Sequence, residues 1–170
     1  MSVKPLDYSF RPYKSGDLKA IELLEDEREV IEAHEEFFAA LADKNRERKT
    51  CITTMYKEHI LFIVGYYEVE PGVAQVFVIP SKLIFKHPLP FIKMVRHWRV
   101  WLEETQWCRR IQTVSLPTKL IDKWMTKLGF ACEAKLIGYT EGRDYNLWGR
   151  EKHNGIWGRL QTRVSSSKPA

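Results

Sequence analysis

The chain has 170 residues, of which 44% are hydrophobic and 12% aromatic, and its formal net charge is +5. This composition can fill one buried core, which excludes a wholly disordered chain. The longest strongly apolar run, residues 60–67, is too short to span a membrane, and the first ten residues lack the apolar segment of a secretory signal. Three cysteines without metal-binding spacing, Cys51, Cys108 and Cys132, are expected to be reduced thiols of a cytosolic protein.

The sequence of the first half of the chain predicts one strand before a helical region and three strands after it. Alternating apolar residues predict a strand over residues 8–13, and apolar residues at helical spacing from Leu18 predict two helices, or one kinked helix, ending near Asn45. Two runs rich in β-branched and aromatic residues, 50–56 and 59–67, are separated by two residues and predict a hairpin. A third strand follows within this half of the chain, over residues 73–79.

The second half alternates between helices and strands. We predict an irregular loop with three prolines at 80–90, an amphipathic helix at 91–107, a strand at 109–116, a short helix at 118–128, and a closing hairpin from strands 131–140 and 144–150. Gly129 is the expected stop of the short helix. A basic tail, residues 151–170, is expected to be flexible and to follow a single domain formed by residues 1–150.

This order, β-α-α-β-β-β-α-β-α-β-β, predicts the α/β class. A helix between two strands of the series implies a crossover beside antiparallel hairpins, and therefore a mixed, mostly antiparallel central sheet with helices on both faces.

Three short motifs in this order resemble the GNAT family, the Gcn5-related N-acetyltransferases. They are Arg11-Pro12 with Asp17-Leu18 before the first helix, the run WMTKLGF at residues 124–130, and the tract DYNLW at residues 144–148. In the family, a helix that ends in Leu-Gly-Phe precedes two antiparallel strands, as it does here. The resemblance covers residues 8–150 and implies a GNAT fold.

A narrower resemblance is to the GNAT-like internal virion protein A of short-tailed bacteriophages. It lies in the run FVIPSKLIF at residues 77–85, in the basic and aromatic helix that follows, and in the KLGF turn. The resemblance implies a protein of virion assembly, located in the host cytoplasm or in the virion, whose partners are virion or host proteins.

The GNAT resemblance implies an acetyl-CoA site whose pyrophosphate lies on free backbone amides of a glycine loop, patterned Q/R-x-x-G-x-G/A, at the start of the crossover helix. Residues 81–91 contain no glycine, and Pro88 and Pro90 have no N–H to donate. We therefore expect no cofactor, with acetyl-CoA as the alternative. If acetyl-CoA binds, the candidate contacts are Val78, Ile79, Lys82, Lys86, Phe91, Lys93 and Thr118.

The catalytic residues that the resemblance implies are also incomplete. Family members commonly place a tyrosine, the acid that protonates the leaving thiolate, four residues before the glycine of the Leu-Gly-Phe turn, and Met125 stands there. Glu68 and Glu70 are candidates for the general base, although a carboxylate at a strand end is often merely solvated. Tyr139 and Tyr145 are candidates for an alternative acid, or residues that pack across the hairpin.

The basic residues suggest a third kind of partner. Lys93, Arg96, His97 and Arg99 lie on one side of the predicted crossover helix, continued by Arg109 and Arg110, with tryptophans between them. This pattern is found in nucleic-acid-binding surfaces, but the helical periodicity favours an ordinary amphipathic helix with its tryptophans inward and its bases in water. The five histidines show no metal-binding spacing, so we expect no metal site.

Three functions therefore remain open: an assembly protein that acts by protein interaction, an acetyl-CoA-dependent N-acyltransferase, and a nucleic-acid-binding module. Whether the chain is an enzyme stays undecided at this level. An enzyme requires an open cleft between strands 73–79 and 109–116. An assembly protein is instead expected to have a filled cleft, and either to self-associate or to expose an apolar loop at residues 83–85.

Overall fold

An eight-stranded sheet forms the centre of the molecule. The computed structural model describes residues 7–47, 50–153 and 156–158. The strands are β1 (Tyr8–Pro12), β2 (Cys51–Tyr56), β3 (His59–Glu70), β4 (Val73–Pro80), β5 (Arg110–Ser115), β6 (Ala131–Thr140), β7 (Arg143–His153) and β8 (Ile156–Gly158). The α-helices are α1 (Asp17–Ala20), α2 (Glu25–Ala33), α3 (Glu35–Glu47), α4 (Pro88–Glu104) and α5 (Lys119–Lys127), and a 3₁₀ helix covers Lys82–Phe85.

The strands lie in the order β1-β2-β3-β4-β5-β7-β6, and β8 lies off this path, paired with residues 151–153 of β7. Neighbours are antiparallel except β4 and β5, which run parallel because α4 crosses over between them. The predicted α/β class and mixed, mostly antiparallel sheet are confirmed.

The helices cover both faces of the sheet, also as predicted. One buried cluster joins the sheet to α1–α3 and includes Leu18, Ile21, Ile31, Ile63 and Ile79. A second cluster joins it to α4 and α5 and includes Phe62, Phe91, Trp98, Leu102, Leu128 and Trp148. The sheet is therefore the middle of three layers.

Several boundaries differ from the expected ones. Three helical segments, rather than one or two, lie between β1 and β2. The loop expected at residues 80–90 contains the 3₁₀ helix, and α4 begins at Pro88 because the fixed φ of proline suits the first helical position. The sheet continues past residue 150 to His153 and β8, where Trp157 Nε1 donates to the Glu103 carbonyl at 2.9 Å. Residues 159–170 of the expected tail lie outside the described part of the chain.

A buried carboxylate joins β1 to α1 and explains the first motif of the sequence. Asp17 is 7% exposed and accepts from Arg11 at 2.6 and 2.8 Å, from the Lys14 N–H at 2.8 Å and from Thr53 Oγ1 at 2.7 Å. Burial by itself would raise the pKa of Asp17, but these hydrogen bonds outweigh it and lower that pKa. The Arg11–Asp17 pair is thus a structural junction.

None of the described helices has the length and hydrophobicity required to cross a membrane.

Candidate ligand cleft

The parallel strands β4 and β5 separate after a short paired stretch. Their pairing covers Val73 to Gln75 on β4 and Arg110 to Gln112 on β5, where Gln112 Nε2 donates to Gln75 Oε1 at 3.1 Å. Beyond this point a cavity of about 580 Å³ opens between residues 76–80 and 113–115, and we call it the cleft. The cleft is open, which is the arrangement expected of an enzyme and not the filled cleft expected of an assembly protein.

The cleft passes through the sheet, because its lining comes from both helical layers. Leu24, Val30, Phe37 and Phe38 line it from α2 and α3 and the residue that precedes α2, and Phe91, Val95, Trp98 and Arg99 line it from α4. Two molecules could therefore approach each other from opposite faces of the sheet. Most of the lining is apolar, which is typical of small-molecule sites.

Three tyrosines line the cleft at the closing hairpin and β3. The rings of Tyr139 and Tyr145 lie 5.7 Å apart in an edge-to-face arrangement, and Tyr67 lines the same space. Burial raises the pKa of Tyr67 and of Tyr145, so both stay protonated at neutral pH and can donate a proton or hydrogen bond. The sequence reasoning named Tyr139 and Tyr145 and missed Tyr67, whose position only the strand separation reveals.

The hairpin that carries two of these tyrosines is held against α2. Glu141 lies at its turn, and its Oε1 accepts a hydrogen bond from His34 Nε2 at 3.1 Å. Arg143 pairs with Glu29 of α2. These contacts place the hairpin over the α2–α3 side of the cleft.

The two glutamates expected as general bases lie elsewhere. Glu68 and Glu70 are exposed at the turn between β3 and β4, and neither contributes to the cleft lining. Glu68 Oε1 accepts from the Gly72 N–H at 2.9 Å, so it stabilises that turn. The cleft opens at one end of the sheet, where β4 and β5 have separated. β3 ends at the opposite end, where β4 and β5 are still paired, so both glutamates lie away from the cleft.

The start of α4 has few amides to offer an anion. Pro88 and Pro90 occupy the first and third helical positions, so Leu89 is the one residue among those three with an N–H. The Phe91 N–H donates to the His87 carbonyl at 3.1 Å as an ordinary helical bond.

Backbone amides in and beside the preceding 3₁₀ helix already have acceptors within the protein. The Lys82 N–H donates to the Glu22 carbonyl at 2.9 Å, the Leu83 N–H donates to Ser81 Oγ at 3.2 Å, and the Lys86 N–H donates to the Leu83 carbonyl at 3.0 Å. These donors hold the segment against the residues before α2 and leave its backbone poorly suited to cradle a pyrophosphate.

The seven candidate cofactor contacts fall into separate places. Val78, Ile79 and Phe91 line the cleft. Lys82, Lys86 and Lys93 have exposed side chains outside it, and Thr118 Oγ1 caps α5 by accepting from the Ile121 N–H at 3.2 Å. Met125, at the position of the family's tyrosine, does line the cleft, but its thioether has no proton to donate.

The expected basic side of α4 is interrupted. Arg99 was expected to face outward, and this expectation is wrong: the side chain is buried at 8% exposure and pairs with Glu103. Arg110, its expected continuation, pairs with Glu133 and Glu151. Two of the six bases are thus paired with carboxylates, because burial of a charge requires a partner.

The two buried cysteines are poor nucleophiles. Burial raises the pKa of Cys51 to about 12 and that of Cys108 to about 11, so both remain thiols at neutral pH. Cys132 is exposed, and all three are free. In the part of the chain that the structure describes, no group of His, Cys, Asp and Glu could hold a metal ion.

Comparison with known proteins identifies the fold. No family model and no curated protein matches the sequence. Among solved structures, a ribosomal-protein-S5-alanine acetyltransferase from Vibrio fischeri superposes with a TM-score of 0.66 at 16% identity, covering 92% of this chain and 99% of that one.

Two further structures agree. A GNAT-family acetyltransferase from Bacillus anthracis gives a TM-score of 0.63 at 12% identity, covering 88% of this chain and 97% of that one. One from Streptococcus pneumoniae gives 0.59 at 14% identity, covering 85% and 99%. With the strand order and the separated parallel pair, these comparisons show that the chain has the fold of the GNAT acetyltransferases.

Proposed function

We propose that this protein uses the GNAT fold to bind a protein partner during virion assembly, and that it does not use acetyl-CoA as a substrate. The observation that carries the proposal is the start of α4, where Pro88 and Pro90 remove two of the first three amides. In a GNAT enzyme this is where backbone donors and the helix dipole would hold the pyrophosphate.

Side chains are a poor replacement for these amides. Lys82 and Lys86 are exposed, so an ion pair with phosphate at either would be screened by water and would cost side-chain entropy. A lysine also presents a point charge rather than a fixed array of donors. Met125 is a second deficiency. It lines the cleft where the family has a tyrosine, and it has no proton to give to the departing thiolate.

Exposed apolar side chains come from the same helix start, from the 3₁₀ helix before it and from α5. Phe85 is 55% exposed, Leu89 is 76% exposed and Leu120 is 42% exposed, and the Phe85 ring lies 6.3 Å from that of Trp124. We call these four residues the mouth patch. Grouped apolar side chains on a surface typically mark an interaction site. The resemblance of residues 77–85 to a phage internal virion protein supports a virion or host protein as the partner.

Thermal unfolding with excess ligand tests the cofactor part of the proposal. A specific ligand at about 100 times its dissociation constant stabilises a protein by ~2.7 kcal/mol, which is roughly 5–10 °C for this size. We expect no shift with acetyl-CoA or CoA beyond that with ATP. A shift of several degrees with acetyl-CoA and CoA but not ATP would contradict the proposal.

Virion incorporation tests the interaction part. In phage carrying the gene, we expect Phe85→Asp with Leu89→Asp to reduce the amount of this protein in assembling particles, because two charges enter an apolar contact. Lys82→Ala with Lys86→Ala is the matched control and is expected to leave that amount unchanged. Equal incorporation of both double variants would contradict a role for the mouth patch.

The open cleft favours a second candidate, an N-acyltransferase that uses an unconventional acid. Tyr139 and Tyr145 line the cleft, and Tyr145 stays protonated at neutral pH because burial raises its pKa. If this candidate holds, CoA release from acetyl-CoA in the presence of amines should fall about 100-fold in Tyr145→Phe or Tyr139→Phe, the loss typical of a general acid. Tyr56→Phe, outside the cleft, is the control.

A further inference from the structure

Helix α4 keeps one side exposed along most of its length. Its inner side packs on the sheet through residues such as Trp98 and Leu102. The opposite side carries four exposed residues at spacings of four, three and four, which place them in one row along the helix. We call them the outer row, and they are Lys93, His97, Val100 and Glu104.

Aromatic rings flank the outer row. The Phe10 ring of β1 stacks on that of His97 with 6.4 Å between their centroids, and the Tyr66 ring of β3 lies 6.4 Å from that of Trp101 and 5.6 Å from that of Trp107. Phe10 and Trp101 are each 43% exposed, and Trp107 is 37% exposed. Exposed aromatic side chains grouped in this way are typical of protein interfaces.

The charges of the outer row favour a second copy of this chain as the occupant. Lys93 lies three helical turns before Glu104, about 16 Å along the axis, so the row is positive at one end and negative at the other. Neither side chain forms an ion pair within the described residues. When a second α4 runs antiparallel to the first, Lys93 of each copy lies opposite Glu104 of the other. A polyanion such as a nucleic acid would instead be repelled by Glu104.

We propose that the outer row of α4 is the interface between two copies of this chain, packed antiparallel about a two-fold axis. The axis lies level with the midpoint between residues 98 and 99, so His97 of each copy faces Val100 of the other, between the two Lys93–Glu104 pairs. Trp101 adds aromatic contact beside them. This proposal goes beyond the proposed function, since it depends on neither the mouth patch nor acetyl-CoA.

Sedimentation equilibrium of the full chain over a range of concentrations tests the proposal. We expect a monomer–dimer equilibrium with a dissociation constant of about 10–100 μM, because an interface built on one helix is small. Trp101→Ala removes an exposed ring from the interface and should weaken dimerisation roughly 10-fold. A chain that stays monomeric up to ~1 mM would overturn the proposal.

Charge reversal tests the face and its orientation. Lys93→Glu and Glu104→Lys each place like charges opposite one another in both pairs of the dimer, so each should weaken dimerisation roughly 10-fold. Lys123→Glu, which makes the same change at an exposed position of α5, is the control and should keep the wild-type dissociation constant.

Combining the two reversals separates a lost contact from a damaged fold. The double variant Lys93→Glu with Glu104→Lys restores opposite charges in both pairs and should dimerise within about 3-fold of the wild type. An equal mixture of the two single variants also restores both pairs and should form a heterodimer. A double variant as weak as the single variants, or a dimer that no reversal on α4 weakens, would overturn the assignment.

Discussion

Two buried carboxylates, Asp17 and Glu103, stand in contrasting surroundings. Asp17 has one guanidinium partner, Arg11, and its remaining hydrogen bonds come from neutral donors, so its charge is balanced. Glu103 has two guanidinium partners, Arg99 and Arg150, so the charge around it is not balanced.

The difference separates a balanced buried ion pair from an unbalanced one. A balanced, fully hydrogen-bonded pair joins β1 to α1 and needs nothing from outside. The group around Glu103 has two guanidinium groups for one carboxylate, and Arg99 Nε is buried without a hydrogen-bond partner among the described residues. Both groups are ionic and buried, and only the balance of donors and charges distinguishes them.

Removing the Glu103 carboxylate should have the largest effect. Glu103→Gln leaves Arg99 and Arg150 buried without an anion, so we expect the free energy of unfolding to fall by about 3–5 kcal/mol. Urea unfolding measures this change. Glu104→Gln, at the exposed neighbouring position, is the control and should change it by less than about 0.5 kcal/mol. A loss below about 1 kcal/mol in Glu103→Gln would mean that water already solvates both guanidinium groups.

Removing the Asp17 carboxylate should have a slightly smaller effect. Asp17→Asn is expected to lower the free energy of unfolding at pH 7 by about 2–3 kcal/mol, less than for Glu103 because Arg11 is partly exposed to water. The measurement is again urea unfolding.

The same variant gives a pH test with a defined sign. The pKa of Asp17 is lower in the folded protein, because its hydrogen bonds outweigh a burial penalty that would raise it. Its stabilisation is therefore present above the unfolded pKa, about 3.9, and is lost as the pH falls through the folded pKa. The difference between wild type and Asp17→Asn should shrink below about pH 4. A difference that stays constant down to pH 2 would refute a charged Asp17.

Removing one arginine from each group should change the free energy of unfolding least. The two changes should differ, because Asp17 has one guanidinium partner and Glu103 has two. Arg99→Gln leaves Glu103 with one partner, Arg150, and removes a surplus buried charge, so its free energy of unfolding should change by less than about 1 kcal/mol. Arg11→Gln removes the one guanidinium partner of Asp17 and should cost about 1–2 kcal/mol. Paired urea curves decide the order. A larger loss in Arg99→Gln than in Arg11→Gln would assign Arg99 a structural role.

Much of the fold was predictable because local signals agree with the tertiary structure. Gly129 has a φ of 85°, in the left-handed region that glycine adopts without strain, and it ends α5 as the sequence indicated. Thr118 caps the same helix. The two prolines that signalled a loop instead begin α4, because proline suits the start of a helix as well as a loop.

The site was less predictable because it depends on contacts distant in sequence. Arg99 and Glu103 are four residues apart, a spacing that allows a pair on one helix, but Arg150 joins them from another element. Tyr67 reaches the cleft because β4 and β5 separate beyond residue 75, and no local pattern records where two strands stop pairing.

The central claim is that the cleft remains while acetyl-CoA recognition at the start of α4 is lost. Calorimetric titration of the purified full chain with acetyl-CoA measures this directly, with CoA in a parallel titration. The account predicts no saturable heat up to millimolar acetyl-CoA, because Pro88 and Pro90 supply no amides and the exposed lysines beside them are weak substitutes. Saturable one-site binding of acetyl-CoA with a micromolar dissociation constant would contradict it.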